Sequence, residues 1–201
     1  MVTATFNFKK EGMKNMSVET TTPNVRMTVY CALFTALIII GAYISIPIPG
    51  SPVPVVLADF FVMLAGLFIG GKYGLLSVGL YLGVGVIGFP VFSNGGSGFA
   101  FLLGPTGGFL VGYLLLVAAI GFITHKKTDS LTLNLLALII GNIFLYTLGI
   151  TWLLVSTRLS LPVAIASGLL PFLPGTIIKI IVVLTLGKVF GSRIKESRVG
   201  A

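Results

Sequence analysis

From Met27 onward the chain alternates long apolar runs with short breaks of glycine, proline or charge. The runs cover Met27 to Ile48, then roughly 54–70, 73–92, 104–124, 131–156 and 169–190. A helix of about 20 residues crosses a hydrocarbon core of roughly 30 Å, so each run is close to one bilayer crossing. In lipid the backbone must satisfy its own hydrogen bonds, which helices do within one segment. The pattern predicts an all-α integral membrane protein with six transmembrane helices in a single compact bundle over 26–192. Residues 1–25 are polar, carry Lys9, Lys10 and Lys14, and are expected to form a flexible tail; 193–201 read as a second, basic tail. The first run exceeds a signal-peptide core and has no small-residue cleavage pattern after it, so it is expected to stay as the first span.

Two breaks stand out. Ile46-Pro-Ile-Pro-Gly-Ser-Pro-Val-Pro54 alternates prolines, which block helix and favour an extended path. Phe89 to Gly98 is too rich in glycine to hold one regular element without support. Neither carries charge.

Composition fixes the solvent. Apolar residues make up 56% of 201 residues and charged residues 9%, too little polar surface to cover a water-soluble core. The 26 glycines suit close helix packing in lipid. The net charge of +8 is one-sided: Lys9, Lys10, Lys14, Arg26, Lys72, Lys126, Lys127, Lys188, Arg193, Lys195 and Arg198 fall on one side of the spans, eleven of thirteen basic residues. Positive charge stays with cytoplasmic connections, so both termini are expected in the cytoplasm and both uncharged loops outside, in the cytoplasmic membrane. Topology and anionic lipid account for the charge without nucleic acid.

Candidate chemistry is sparse. Cys31 is a single cysteine in an apolar run and reads as packing; His125, the single histidine, lies in a polar break, so a histidine or cysteine metal cluster is excluded. Gly66-Leu-Phe-Ile-Gly-Gly-Lys72 imitates a phosphate-binding loop, but Tyr73 replaces the hydroxyl residue that would hold magnesium and no strand precedes it. Lys179 is different, because an ionisable group inside a span faces a cavity or a partner unless it snorkels to the headgroups. A ligand carboxylate is the favoured partner. Asp59, the acid expected inside a span, has three open roles: accepting from ligand N–H groups, neutralising Lys179 in the empty protein, or relaying protons. Ser93, Asn94, Gly95 and Gly96 offer small polar groups and backbone donors that either close over a polar ring or form an ordinary turn. Trp152 either stacks on a flat ligand or anchors at an interface. Small residues four apart recur at Ala32 and Ala36, Gly79 and Gly83, and Gly104, Gly108 and Gly112, a spacing that brings helices together.

These motifs resemble the biotin-specific S components of energy-coupling-factor (ECF) transporters, the BioY family, from about Thr28 to Phe190. The resemblance rests on Ile46-Pro-Ile-Pro with Pro52-Val-Pro-Val, Gly88-Phe-Pro-Val-Phe with the following glycines, Gly104-Pro-Thr-Gly-Gly, and Leu173-Pro-Gly-Thr-Ile-Ile-Lys179. It implies six membrane helices, high-affinity capture of biotin from outside, and a partner module of one membrane coupling protein with two ATP-hydrolysing subunits. The protein would need no cofactor of its own. Asn94 matches the asparagine of the family's glycine-rich loop, Lys179 the lysine of its last-helix motif, and Ala32 with Ala36 the small pair that touches the coupling protein. Phe92, Phe109 and Trp152 are the candidate aromatic walls. Two positions depart from the pattern: Thr176 stands where the family commonly has aspartate, and Phe109 where it commonly has tyrosine. Asp59 is expected to supply the missing acid.

Two other classes compete with an ECF-type importer that is not itself an enzyme. A self-sufficient secondary transporter of biotin or another small carboxylated vitamin would use Asp59 for proton coupling. An intramembrane enzyme is disfavoured, since the spans hold no nucleophile–base pair or metal cluster.

Overall fold

The computed structural model describes residues 25–124 and 130–199, with side chains through 190. The calls on the N-terminal tail with Lys9, Lys10 and Lys14, on His125, and on Lys126 and Lys127 lie outside the described residues. Helix α1 spans Val25–Tyr43. It ends before the predicted Ile48, because Pro47 drives Ile46 into extended backbone. Ser45–Ile46 forms strand β1, paired antiparallel with β2, Val55–Val56, in the register Ser45 to Val56 and Ile46 to Val55. The proline loop is thus a short hairpin with a defined base.

The second and third predicted spans form one element, α2, Ala58–Ile87. Gly70 interrupts it at φ 82° and ψ −178°, a region open essentially to glycine. There the chain folds back. A Cβ placed on Gly74 would lie 3.6 Å from Ala65 O, although nine residues of straight helix would separate the two by about 13 Å. α2 therefore has two limbs.

A 3-10 turn at Ser93–Gly95 follows, with Asn94 left-handed at φ 57°, which asparagine tolerates. Then come α3 (Phe99–Leu103), α4 (Gly107–Ile123), α5 (Leu131–Thr157), α6 (Leu161–Gly168) and α7 (Leu173–Val199). The last helix continues through 193–199, the stretch expected as a basic tail. α3 and α6 escaped the sequence analysis.

Six apolar segments, α1, the two limbs of α2, α4, α5 and α7, make the bundle, with α4 packed between α2 and α5. Val25–Tyr43, Ala58–Ile87, Leu131–Thr157 and Leu173–Phe190 are long and apolar enough to cross a membrane, and Gly107–Ile123 is apolar but shorter. The core holds Ile38, Met63, Leu67, Leu116, Ile120 and Leu138. Leu33, Leu80, Leu115, Ile143, Ile178 and Ile181 point outward, as a lipid-facing surface requires. Polar side chains inside satisfy neighbouring backbone: Thr35 donates to Ser77 O and Ser77 to Cys31 O, joining α1 to α2 at 3.1 and 3.2 Å. Cys31 is buried, with Sγ 3.3 Å from Tyr73 O.

Candidate functional site

The two ends of the bundle differ in character. Arg26 at the start of α1, Lys72 at the α2 fold-back and Lys188 in the second half of α7 share one end, where Gly187 meets Leu67 and Phe122 meets Gly71. Lys72 lies 5.9 Å from the Tyr73 ring centroid and Gly66 packs on Ile120, so this stretch is helix broken at the Gly70 fold-back and not a phosphate loop. The opposite end holds a cavity.

The space within it is about 540 Å³, including the part open to solvent. The β hairpin supplies Val53, Pro54 and Val56; α2 supplies Asp59 and Tyr81; α4 supplies Phe109, Leu110 and Tyr113. Tyr146, Phe172 and Lys179 close the far side, and Ser93 and Thr106 form the rim.

Each charged side chain is placed by the start of a helix. Asp59 is the second residue of α2, where the unsatisfied N–H groups and helix dipole favour a carboxylate. Leu57 N donates to Gly41 O and Ile44 O, fastening this helix start to α1. α7 begins at Leu173 with Pro174 in its first turn, a position that needs no N–H partner. Lys179 lies one turn beyond Thr176 on the same face. Its Nζ donates to Asp59 Oδ1 at 2.7 Å, Asp59 Oδ2 at 2.9 Å and Val56 O at 2.7 Å. The side chains are only 12% and 9% exposed, so this is a buried pair. Of the three roles open to Asp59, the geometry displays the second, neutralising Lys179 in the empty protein.

Aromatic rings form the wall beside the pair. Phe109 and Phe172 stack with centroids 6.2 Å apart and planes at 14°, and Tyr146 meets both rings edge-on. Gly149 makes this possible, since a Cβ there would approach the Phe109 ring to 2.4 Å. The Tyr146 hydroxyl and Thr176 Oγ1 are 2.5 Å apart, so Thr176 acts behind the wall through Tyr146.

The structure divides the sequence candidates. Lys179, Asp59, Phe109 and Ser93 line the cavity, and Thr176 reaches it through Tyr146. Asn94 and Gly96 line an adjoining groove with Pro52, Phe101 and Pro105, which shares Pro54, Ser93 and Thr106 with the cavity. Gly95 lines neither; its φ of 74° serves the turn. Phe92 is not part of the wall: it is fully buried between Tyr81 and Phe101, where it anchors the loop. Trp152 also stands apart, because its Nε1 donates to Gly104 O at 2.9 Å and its base covers Gly108, tying α5 to the start of α4. Ala32 and Ala36 are exposed on the outer face of α1. Sequence reasoning missed Tyr81, Tyr113, Tyr146 and Phe172. The available signal was three tyrosines deep inside apolar runs, away from the interfaces where tyrosine usually sits.

A lipid-facing helical bundle around a partly open cavity, lined by five aromatic residues and a buried ion pair, defines a multi-pass membrane protein. The BioY family model matches residues 13–196, and the chain belongs to the BioY family. It is 39% identical to the biotin transporter BioY of Thermotoga maritima over 158 residues, 79% of this chain and 91% of that one. It is 35% identical to the biotin transporter BioY of Lactococcus lactis subsp. cremoris over 173 residues, 83% of this chain and 91% of that one. The crystal structure of the S-component for biotin from an ECF-type ABC transporter has the same fold, with a TM-score of 0.78, 36% identity, and coverage of 84% of this chain and 92% of that chain.

Proposed function

We propose that this chain is the biotin-binding S component of an ECF-type importer. The observation that carries the reading is the Asp59–Lys179 pair beneath a stacked aromatic wall, in a chain of the BioY family. Biotin brings a carboxylate for Lys179, an apolar tail and thioether ring for Phe109, Phe172 and Leu110, and a ureido group for the rim at Ser93 and Thr106. Such a ligand needs no bond chemistry, and the relatives are described as transporters, which supports capture and transport over catalysis. In this reading the cavity opens outward in the cytoplasmic membrane, and the basic end with both termini faces the cytoplasm. ATP is hydrolysed by two partner subunits through a membrane coupling protein, and the chain carries no cofactor of its own. The exposed face around Ala32 and Ala36 is the proposed seat of the coupling protein, because small residues let a partner helix approach closely.

The test is equilibrium binding of labelled biotin to the detergent-purified chain, with desthiobiotin and thiamine as competitors and Lys179→Ala beside it. Tight binding that thiamine leaves intact, and that the variant weakens by more than about tenfold, or about 1.4 kcal/mol, is expected. A folded protein that ignores biotin would overturn the substrate assignment. Uptake by the chain alone in liposomes, abolished by an uncoupler, would instead favour the proton-coupled transporter.

A further inference from the structure

A lysine ammonium has three N–H donors, and here all three are engaged, two by Asp59 and one by Val56 O. No donor is left vacant for an arriving carboxylate. Among the described residues lining the cavity, Asp59 and Lys179 are the two with formal charge. The other titratable groups facing the pair are the phenols of Tyr81 on α2, Tyr113 on α4 and Tyr146 on α5, and the Tyr146 hydroxyl is engaged with Thr176. The empty cavity is therefore neutral and internally satisfied. A carboxylate that reaches Lys179 must take over at least one donor from Asp59 or from Val56 O, and either way two carboxylates then lie beside one ammonium in a largely apolar enclosure. Two like charges so placed do not both stay ionised; they share a proton.

Resting on the reading of this cavity as a carboxylate-ligand site, we propose that Asp59 is the internal counter-ion that the ligand carboxylate replaces, so that each binding event takes up one proton. The balance is simple. The ligand carboxylate and one proton enter from the outside water, Lys179 keeps its three protons, and one new O–H bond forms on the carboxylate pair. The stoichiometry is the same whether the proton arrives on the ligand or joins Asp59 directly. Asp59 thereby becomes a specificity-determining residue, since it makes the site accept the neutral sum of an acid and its proton. Ligand and proton are drawn from the same side, so the binding equilibrium itself requires no transmembrane proton gradient.

Proton uptake on binding means that lower pH strengthens binding wherever the free ligand and the empty pair are both ionised. Calorimetric titration of biotin into the full detergent-purified chain, in two buffers of different ionisation heat at about pH 7.5, reads the proton count. About one proton per biotin and a Kd that rises about tenfold per pH unit between about pH 6.5 and 8 are expected. The uncharged biotin amide should bind with no proton uptake and no pH slope. Asp59→Asn should lose the uptake too, because its amide carries no negative charge for the ligand to replace. A proton count near zero with a flat pH profile in the unaltered protein overturns the proposal while leaving biotin as ligand. Failure of the unaltered, folded protein to bind biotin overturns the functional reading instead, and this proposal with it. The count in the unaltered protein decides alone if Asp59→Asn does not fold.

Discussion

Lys179 and Asp59 are 120 residues apart in the chain and within hydrogen-bond distance in the fold. Replacing one member of a buried pair strands the other, at a cost of roughly 3–5 kcal/mol, whereas removing both leaves no unpaired charge. Lys179→Met or Asp59→Asn alone should therefore lower the thermal midpoint clearly, and the double variant should recover much of the loss. Thermal unfolding of the three variants in one detergent checks this, and additive losses would mean that the pair is not coupled. Both residues were legible in the sequence because charge in an apolar run is conspicuous. Their mutual contact was one of three open roles for Asp59 and could not be selected, since spacing along the chain says nothing about which helix starts meet. Aromatic residues were harder still. Phe92, Phe109 and Trp152 look alike as candidates, yet one is core, one is cavity wall, and one is a strut to Gly104. What separates them is the shape of the neighbouring backbone, which no residue type encodes by itself.

At the level of elements, α2 shows where hydrophobic runs stop being informative. The runs marked the two limbs, but Gly70 and Gly71 read as a plain break and not as the fold-back that sets α4 against both limbs. A Cβ on Gly121 would lie 2.2 Å from Gly71 N, and backbone has nowhere to yield. Gly121→Ala should thus cost roughly 1–3 kcal/mol through overpacking, while Gly83→Ala, with nothing within 4 Å, should be harmless. Melting curves of the two variants, with biotin protection as a second readout, separate a local clash from a general intolerance of alanine. α3 and α6 were invisible for another reason: five and eight residues are too few for periodicity to declare itself. The hairpin between α1 and α2 was half legible, as an extended proline path. Its closure was not, because the latch is tertiary: Ser51 Oγ accepts from Val53 N at 3.1 Å and donates to Ser167 O on α6 at 2.8 Å.

For the whole molecule, the division between inner and outer faces assigns different work to residues of the same kind. Gly108 and Gly112 are consumed by α5, packing on Trp152 and Leu145, whereas Ala32, Ala36, Gly79 and Gly83 remain exposed on α1 and α2. Ala36→Trp should leave biotin binding within about twofold and abolish co-purification with the coupling protein, because it fills a face and touches no cavity residue. Loss of ligand binding by this variant would mean that the face is part of the binding fold itself. The fold-back at Gly70 also bears on how the chain is made. The first limb of α2, residues 58–69, extends about 18 Å, well short of a bilayer crossing. Emerging from the ribosome it cannot settle as an independent span, so it must wait for 71–87 and enter the membrane with it as a hairpin. Asp59 would then reach its depth before α7 has been synthesised, and the nascent protein must shelter an unpaired acid until its last helix arrives.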